Sequence, residues 1–161
     1  MGALIAVNAC FSVMLPGRRE LWAAAYEMAG EMGGLGLAAI DRELDLDLAV
    51  AGRLGGHTCI GVIATNAKLD KAQAWRVAMM AHDGLARAIR PVHTPFDGDT
   101  LFALSTARQP LAGPVPLALT RIGHIAGDCI SRAVARAVLA AESLGGTPAF
   151  RTRRAGDPPG A

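Results

Sequence analysis

The apolar residues of this chain are grouped into three short runs and two long periodic stretches. The short runs are GALIAVNA (2–9), CIGVIATNA (59–67) and LFALST (101–106). The second run is almost continuously apolar, which is typical of a strand covered on both faces. We therefore predict three strands, and a loop or linker with weak helix between the first two.

A first helix is predicted after the second strand. Asp70, with Gln73 three residues later, has the pattern of a capping box, in which each side chain accepts a hydrogen bond from the other residue's backbone. Pro91 predicts the end of this helix, because proline lacks a backbone donor and clashes with the preceding turn. The apolar face of the helix consists of residues that recur at helical spacing, namely Ala74, Val77, Ala78, Ala81, Leu85, Ala88 and Ile89.

A second helix is predicted over residues 117–144, where apolar residues again recur at helical spacing. Gly145 and Gly146 follow, at the position where glycine commonly ends a helix. Gly123 and Gly127 lie about one turn apart within it. Because glycine has no side chain, these two positions would let another element approach the helix backbone closely.

The order of these elements predicts helices stacked on a sheet, which is an α+β layered fold. A chain of 161 residues with 52% hydrophobic and 19% charged residues is long and apolar enough for one globular core. We therefore expect a single domain over residues 1–161.

Charge and cysteine content narrow the class of protein. The net charge is +2, and basic residues cluster only at Arg151, Arg153 and Arg154, so nucleic-acid binding is not expected. No run reaches the roughly 18 apolar residues of a membrane span, so no membrane partner is expected. The three cysteines are far apart and form no C-x-x-C pair. Reduced thiols and a cytoplasmic location fit this pattern best.

The segment HTCIGVIATNAKLDKAQAWRVAMMAHDGLARAIRPVHTPFDGDTLFALSTA (57–107) resembles the core of the DmpA-type aminopeptidases. That family includes the β-peptidyl aminopeptidases and the nylon-oligomer hydrolase. GALIAVNA at the start and RIGHIAGDCISRAVARAVLAAESLGGTPAFR (121–151) are also similar to family segments. The resemblance implies a partial αββα sandwich with helices packed on a mixed sheet. Family members carry a long upstream segment, so the chain is expected to match the later part of a precursor. The resemblance then implies that residues 1–13 hold a strand from the end of the first subunit, 14–57 a linker and 58–161 a region like the second subunit.

The resemblance also implies a function. Family precursors cut themselves in two and expose a serine or threonine as the nucleophile for amide hydrolysis. By position that residue is Thr58, so the bond between His57 and Thr58 would be cleaved. A threonine hydroxyl needs a base, and after the cut the α-amino group of the same residue would serve. The expected product is an aminopeptidase that acts on small peptides or amides without a cofactor or a metal.

Three further site residues follow from the resemblance. Asp97 and Asp99 match the acidic pair that orients the threonine in the nylon-oligomer hydrolase branch, and Gly98 between them would permit a tight turn. One carboxylate would stabilise the ammonium group while the other accepts the hydroxyl proton. Asn8 matches an asparagine whose side-chain amide is assigned to the oxyanion hole. Family members form oligomers, so a homo-oligomer or an assembly with an upstream subunit is expected.

Two alternatives remain open at this stage. The chain could be a catalytically inactive fragment, or a subunit that needs a separate upstream half. It could instead be a metal-dependent hydrolase that uses oxygen-rich ligands suited to Mg²⁺ or Mn²⁺. The candidate ligands of such a site are His82, Asp83, His93, Asp97 and Asp99.

The histidines other than His57 have simpler explanations in the sequence. His82 lies on the apolar face of the first predicted helix and is expected to pack there. His93 and His124 are expected at the surface or in turns.

Overall fold

The computed structural model describes residues 1–39 and 57–152, in which three strands and two α-helices form the framework. The segment 40–56 of the predicted linker lies outside the described residues, as do Arg153 and Arg154. Short 3₁₀ helices span Trp22–Tyr26 and Phe150–Thr152. The main elements are β1 (Gly2–Ala6), β2 (Ile60–Ala67), α1 (Lys71–Ala88), β3 (Thr100–Gln109) and α2 (Val115–Ala140).

The sheet is mixed, with the strand order β1-β2-β3. β1 pairs with β2 in the antiparallel direction, and β2 pairs with β3 in the parallel direction. Parallel neighbours need a long crossover, which α1 supplies between β2 and β3. Both helices pack on the sheet, so the predicted α+β layered fold with helices on a mixed sheet is confirmed.

Helix α1 begins as its sequence predicts. The Asp70 carboxylate accepts a hydrogen bond from the Gln73 backbone N–H at 2.8 Å, and the Gln73 side chain accepts one from the Asp70 N–H at 3.1 Å. The predicted capping box is therefore confirmed. The helix ends at Ala88, shortly before Pro91.

Helix α2 ends earlier than predicted. The helical residues stop at Ala140, and Ala141 is already extended, with φ −61° and ψ 148°. Gly145 and Gly146 have positive φ values of 60° and 83°, and they form the turn between the paired residues Leu144 and Thr147. The prediction that these glycines end the helix is therefore wrong, because their left-handed backbone closes a tight turn beyond it.

The two helices contact each other through glycines. A methyl group added to Gly84 of α1 would lie 2.3 Å from the Gly127 carbonyl oxygen of α2. The buried Ser131 hydroxyl donates hydrogen bonds to the carbonyl oxygens of Gly84 (3.1 Å) and Gly127 (3.0 Å). At Gly123 an added methyl group would meet the side chain of Met80. The predicted close approach at Gly123 and Gly127 is thus confirmed.

The hydrophobic core lies between the helices and one face of the sheet. The described part of the 14–57 segment joins it, because Leu21, Ala23 and Met32 are buried in the same cluster. No α-helix among the described residues is long and apolar enough to cross a membrane. The largest fully buried side chains of this core are Ile63, Leu85, Ile130, Val77, Val134 and Cys59.

The opposite face of the sheet carries exposed apolar side chains. Strand residues alternate between the two faces, so those next to the buried positions of β2 and β3 lie away from the helices. We call this side the open face, and it is formed by Leu4, Ile60, Val62, Phe102 and Leu104. Leu4 is 74% exposed and Phe102 is 59% exposed. Exposed apolar surface of this kind commonly marks an interaction site.

Candidate functional site

The register of the sheet brings the candidate residues to one end of it. Beyond the last residue of β1, the Thr58 backbone N–H donates a hydrogen bond to the Asn8 carbonyl oxygen at 2.9 Å. This bond continues the antiparallel ladder, in which Ala6 pairs with Ile60. Asn8 and Thr58 are therefore neighbours across the strands, although 50 positions separate them in the sequence.

The third strand approaches Thr58 from the other side. The Gly98 N–H donates to the His57 carbonyl oxygen at 3.3 Å, and the Thr100 N–H donates to the Cys59 carbonyl oxygen at 2.9 Å. The two bonds extend the parallel ladder of β2 and β3 toward the start of both strands. Thr58 thus lies between Asn8 and Gly98.

The Thr58 hydroxyl lies against the backbone of Gly98. A methyl group added at Gly98 would be 2.8 Å from Thr58 Oγ1, which is closer than ordinary contact. The φ of Gly98 is not in the left-handed region. Glycine is therefore required here by the close approach of the hydroxyl, and not by the tight turn that the sequence suggests.

Asp99 is a buried carboxylate beside the nucleophile candidate. Its Oδ1 accepts a hydrogen bond from the Cys59 backbone N–H at 2.9 Å, so it contacts the peptide group that follows Thr58. The side chain is 5% exposed. Its Oδ2 lies 3.5 Å from His93 Nδ1. Asp99 is therefore held near the expected new amino terminus.

Asp97 lies in the segment just before Asp99, and its carboxylate binds a backbone amide of that same segment. Its Oδ2 accepts a hydrogen bond from the Thr94 N–H at 2.8 Å, and its own N–H donates to the Thr94 carbonyl oxygen at 3.0 Å. No hydrogen bond between either carboxylate and the Thr58 hydroxyl occurs among the described residues. The catalytic roles of Asp97 and Asp99 stay predictions.

Asn8 takes part in the site through its backbone carbonyl oxygen, which accepts the hydrogen bond from Thr58. Asn8 is an exposed residue. By the alternation of strand residues, its side chain lies on the same side of the sheet as the Thr58 hydroxyl. The oxyanion role of its side chain stays a prediction.

Cys59, next to Thr58, does not compete as a nucleophile. Its side chain is completely buried, and burial is the main cause that raises the pKa of its thiol to about 11. The carboxylate of Asp99 adds to this rise in the pKa. Because the thiolate is the reactive form, the thiol of Cys59 is inert near neutral pH.

The structure places His93 beside Asp99, whereas the sequence analysis considered this histidine only as a turn residue or as a ligand of the metal alternative. His93 lies in the turn before β3, as expected, but its ring faces both Asp99 and His82. The ring centroids of His82 and His93 are 5.2 Å apart. The only sequence signal was its position in the same short segment, HTPFDGD, as both aspartates.

The proposed metal alternative finds little support in the geometry. Within residues 1–39 and 57–152, no group of three or more histidine, cysteine, aspartate or glutamate side chains is arranged to hold a metal ion. The carboxylates of Asp97 and Asp99 are instead engaged with backbone amides.

Comparison with known proteins finds relatives that carry aminopeptidase and amide-hydrolase names. An uncharacterized aminopeptidase of Mycobacterium bovis is 43% identical over 167 aligned residues, which cover 94% of this chain and 47% of the relative. An uncharacterized aminopeptidase of Mycobacterium leprae is 50% identical over 103 residues, covering 58% of this chain and 28% of the relative. A 6-aminohexanoate-oligomer endohydrolase of Kocuria sp. is 34% identical over 89 residues, covering 51% of this chain and 25% of the relative.

The chain therefore spans about half the length, or less, of these curated relatives. The profile of peptidase family S58 matches residues 1–151, which include every candidate site residue named above. The chain belongs to peptidase family S58, the family of the DmpA-type and β-peptidyl aminopeptidases.

Proposed function

We propose that this chain is part of an amide hydrolase that cuts its own backbone between His57 and Thr58 and then uses Thr58 as an N-terminal nucleophile. One observation carries the proposal. Gly98 adjoins both reacting groups, because its N–H donates to the His57 carbonyl oxygen at 3.3 Å and a methyl group added to it would lie 2.8 Å from Thr58 Oγ1.

The first reaction is an intramolecular attack. The Thr58 hydroxyl oxygen bonds to the His57 carbonyl carbon, and negative charge develops on the carbonyl oxygen that accepts the Gly98 N–H. A preorganised donor at such an oxygen stabilises the transition state. The carbon–nitrogen bond then breaks, the amine takes up the hydroxyl proton, and an ester remains. Water hydrolyses this ester, which leaves a carboxylate on His57 and a free amine on Thr58.

The second reaction uses the amine that the cut has released. An α-amino group with an ordinary pKa of about 7.7 to 8.0 is a suitable base near neutral pH. The Thr58 nitrogen already has an acceptor, the Asn8 carbonyl oxygen at 2.9 Å, which would keep the amine in place after cleavage. Asp99 contacts the next amide and would add a favourable negative charge beside the ammonium form.

The proposed substrates are amide bonds at the amino ends of small peptides or related amides. This class is supported by the family match and by the name aminopeptidase that one relative carries. The name of another relative, 6-aminohexanoate-oligomer endohydrolase, supports hydrolysis of amides more generally, at internal bonds. We propose no nucleic-acid or membrane partner.

The exposed apolar side chains of the open face favour a second polypeptide that covers it. Ile60 is 52% exposed and lies two positions after Thr58 on the same side of the sheet, and Leu104 is 54% exposed. Efficient hydrolases exclude bulk water from the reacting groups. We therefore propose that a further polypeptide, either an upstream subunit or another copy of the chain, covers this face. The same exposure favours the alternative that the chain alone is an inactive subunit.

Mass spectrometry of the purified chain tests the proposal. The chain is expressed alone and together with the upstream half of the Mycobacterium bovis relative. The wild-type chain and Thr58→Ser are expected to yield a fragment that begins at residue 58, whereas Thr58→Ala stays intact. Thr106→Ala, at an exposed position of β3, serves as the control and should cut like the wild type. A wild-type chain that remains whole in both settings refutes self-cleavage.

A further inference from the structure

One oxygen of Asp99 is buried without a hydrogen-bond donor among the described residues. This atom, Oδ2, has essentially no exposed surface, and His93 Nδ1 lies 3.5 Å from it. A buried carboxylate oxygen is costly unless a donor or a positive charge compensates it. The position of His93 therefore suits it to compensate this buried oxygen.

The backbone of His93 is held in an uncommon conformation that aims the ring at Asp99. Its φ is 57°, in the left-handed region that residues other than glycine rarely adopt. Such conformations persist where the surrounding structure requires them, often at functional sites. The side chain of His93 is 39% exposed, so its far edge reaches solvent while Nδ1 faces the buried carboxylate.

His82 of α1 supports the ring of His93 from the helix side. The two ring planes are tilted by 54° at a centroid separation of 5.2 Å. Burial is the main cause that lowers the pKa of His82, the neighbouring His93 ring lowers it further, and Asp99 and Asp83 act in the opposite direction. The contact that reaches Asp99 Oδ2 comes from His93, at 3.5 Å.

We propose that His93 is a positioning residue that donates from Nδ1 to Asp99 Oδ2 and so keeps Oδ1 on the Cys59 amide, beside Thr58. Oδ1 accepts from the Cys59 amide at 2.9 Å, and the His93 ring, 3.5 Å from Oδ2, is placed to hold the second oxygen. This inference rests on the proposed function, because it concerns the acid beside the expected N-terminal nucleophile.

Two substitutions of nearly equal size distinguish an effect of the His93 side chain on Asp99 from an effect of the His93 backbone conformation. Asparagine and aspartate both tolerate the left-handed conformation of residue 93. His93→Asn keeps a neutral donor near Asp99, whereas His93→Asp places a second carboxylate there. We expect His93→Asn to cut itself within about threefold of the wild-type rate and His93→Asp to be slower by about tenfold or more, since small displacements of a catalytic group are costly. Equal rates for the two variants would overturn the proposal.

A matched control exists on the outer surface of α2. His124 Nε2 lies 3.5 Å from Asp128 Oδ2, the same separation as in the His93 pair, but its side chain is 64% exposed. His124→Asn and His124→Asp make the same two changes there. Both variants should cut like the wild type. A rate difference between them would mean that a change in the net charge of the protein explains the His93 result, and it would overturn the proposal.

A spectroscopic readout tests the contact without any activity. The hydrogen bond made by one ring nitrogen decides which tautomer of a neutral histidine is present. Long-range ¹H–¹⁵N spectra of the uncut Thr58→Ala chain should report His93 as the Nδ1–H form, and Asp99→Ala should shift it toward the Nε2–H form. A bare Nδ1 in the parent chain refutes the contact. A wild-type chain that never cuts refutes the proposed function instead, and this spectrum still decides the His93–Asp99 pair.

Discussion

Replacing Gly98 with alanine tests the close approach on which the proposed site depends. The new methyl group would lie 2.8 Å from Thr58 Oγ1, which is 0.6 Å short of the 3.4 Å where ordinary contact begins. The φ of Gly98 is outside the left-handed region, so an alanine adds no backbone strain of that kind to this contact. The hydroxyl must therefore move or rotate away from its position beside the His57 carbonyl.

The main expected effect is on the rate of self-cleavage. A misplacement of about 1 Å costs on the order of 100-fold in a positioned reaction, so about 0.6 Å should slow self-cleavage by roughly tenfold. The 2.8 Å contact should also lower the stability, and the entropic gain of about 0.4 to 1 kcal/mol from replacing glycine by alanine would offset only part of this loss.

The assay follows the fraction of cut chain over time by mass spectrometry, with thermal unfolding measured on the same samples. Gly2→Ala is the matched control, because an added methyl group at Gly2 has no neighbour within 4 Å and its φ is also not left-handed. If Gly98→Ala cuts at the wild-type rate while remaining folded, the hydroxyl does not need the position that the structure gives it.

Three further predictions concern stability. Gly84→Ala should lower the free energy of unfolding by about 1 to 3 kcal/mol or more in urea titrations, because its methyl group would lie 2.3 Å from a carbonyl oxygen of the facing helix. Gly123→Ala should cost less, since it meets a flexible methionine side chain, and equal losses would contradict this reasoning. Asp70→Ala should lower the free energy of unfolding by about 1 kcal/mol through loss of the α1 cap, and an unchanged urea midpoint would argue against it. Glu31 accepts from Arg132 Nη2 at 3.0 Å, and this hydrogen bond is the main cause that lowers the pKa of Glu31. The stability advantage of the wild type over Glu31→Gln should therefore be full above the ordinary glutamate pKa of about 4.3 and vanish as the pH falls through the lowered value; an advantage that persists in acid would refute the pairing.

Local patterns in the sequence were sufficient for most elements. Asp70 and Gln73 marked the start of α1 because a capping box depends only on residues three apart. The apolar run of β2 and the periodicity of both helices likewise report on neighbours along the chain. The end of α2 was misplaced because Gly145 suits both a helix terminus and a tight turn, and the pairing of Leu144 with Thr147 decides between them.

The candidate residues of the site were also named from the sequence, but through resemblance to a family and not through spacing. Thr58, Asp97, Asp99 and Asn8 are ordinary residues of strands and turns when each is considered alone. Neither the composition nor the periodicity of the sequence indicates which strand pairs with which.

The sequence by itself therefore determined the helices, the strands and the family, because these depend on short-range order and on direct comparison of residues. The tertiary structure alone decided that Asn8 and Gly98 flank Thr58, since strand register joins positions that are far apart in the chain. It also decided that Gly98 is needed for close approach and that His93 faces Asp99. Contacts of this kind arise only when separate segments pack together, and no local pattern encodes them.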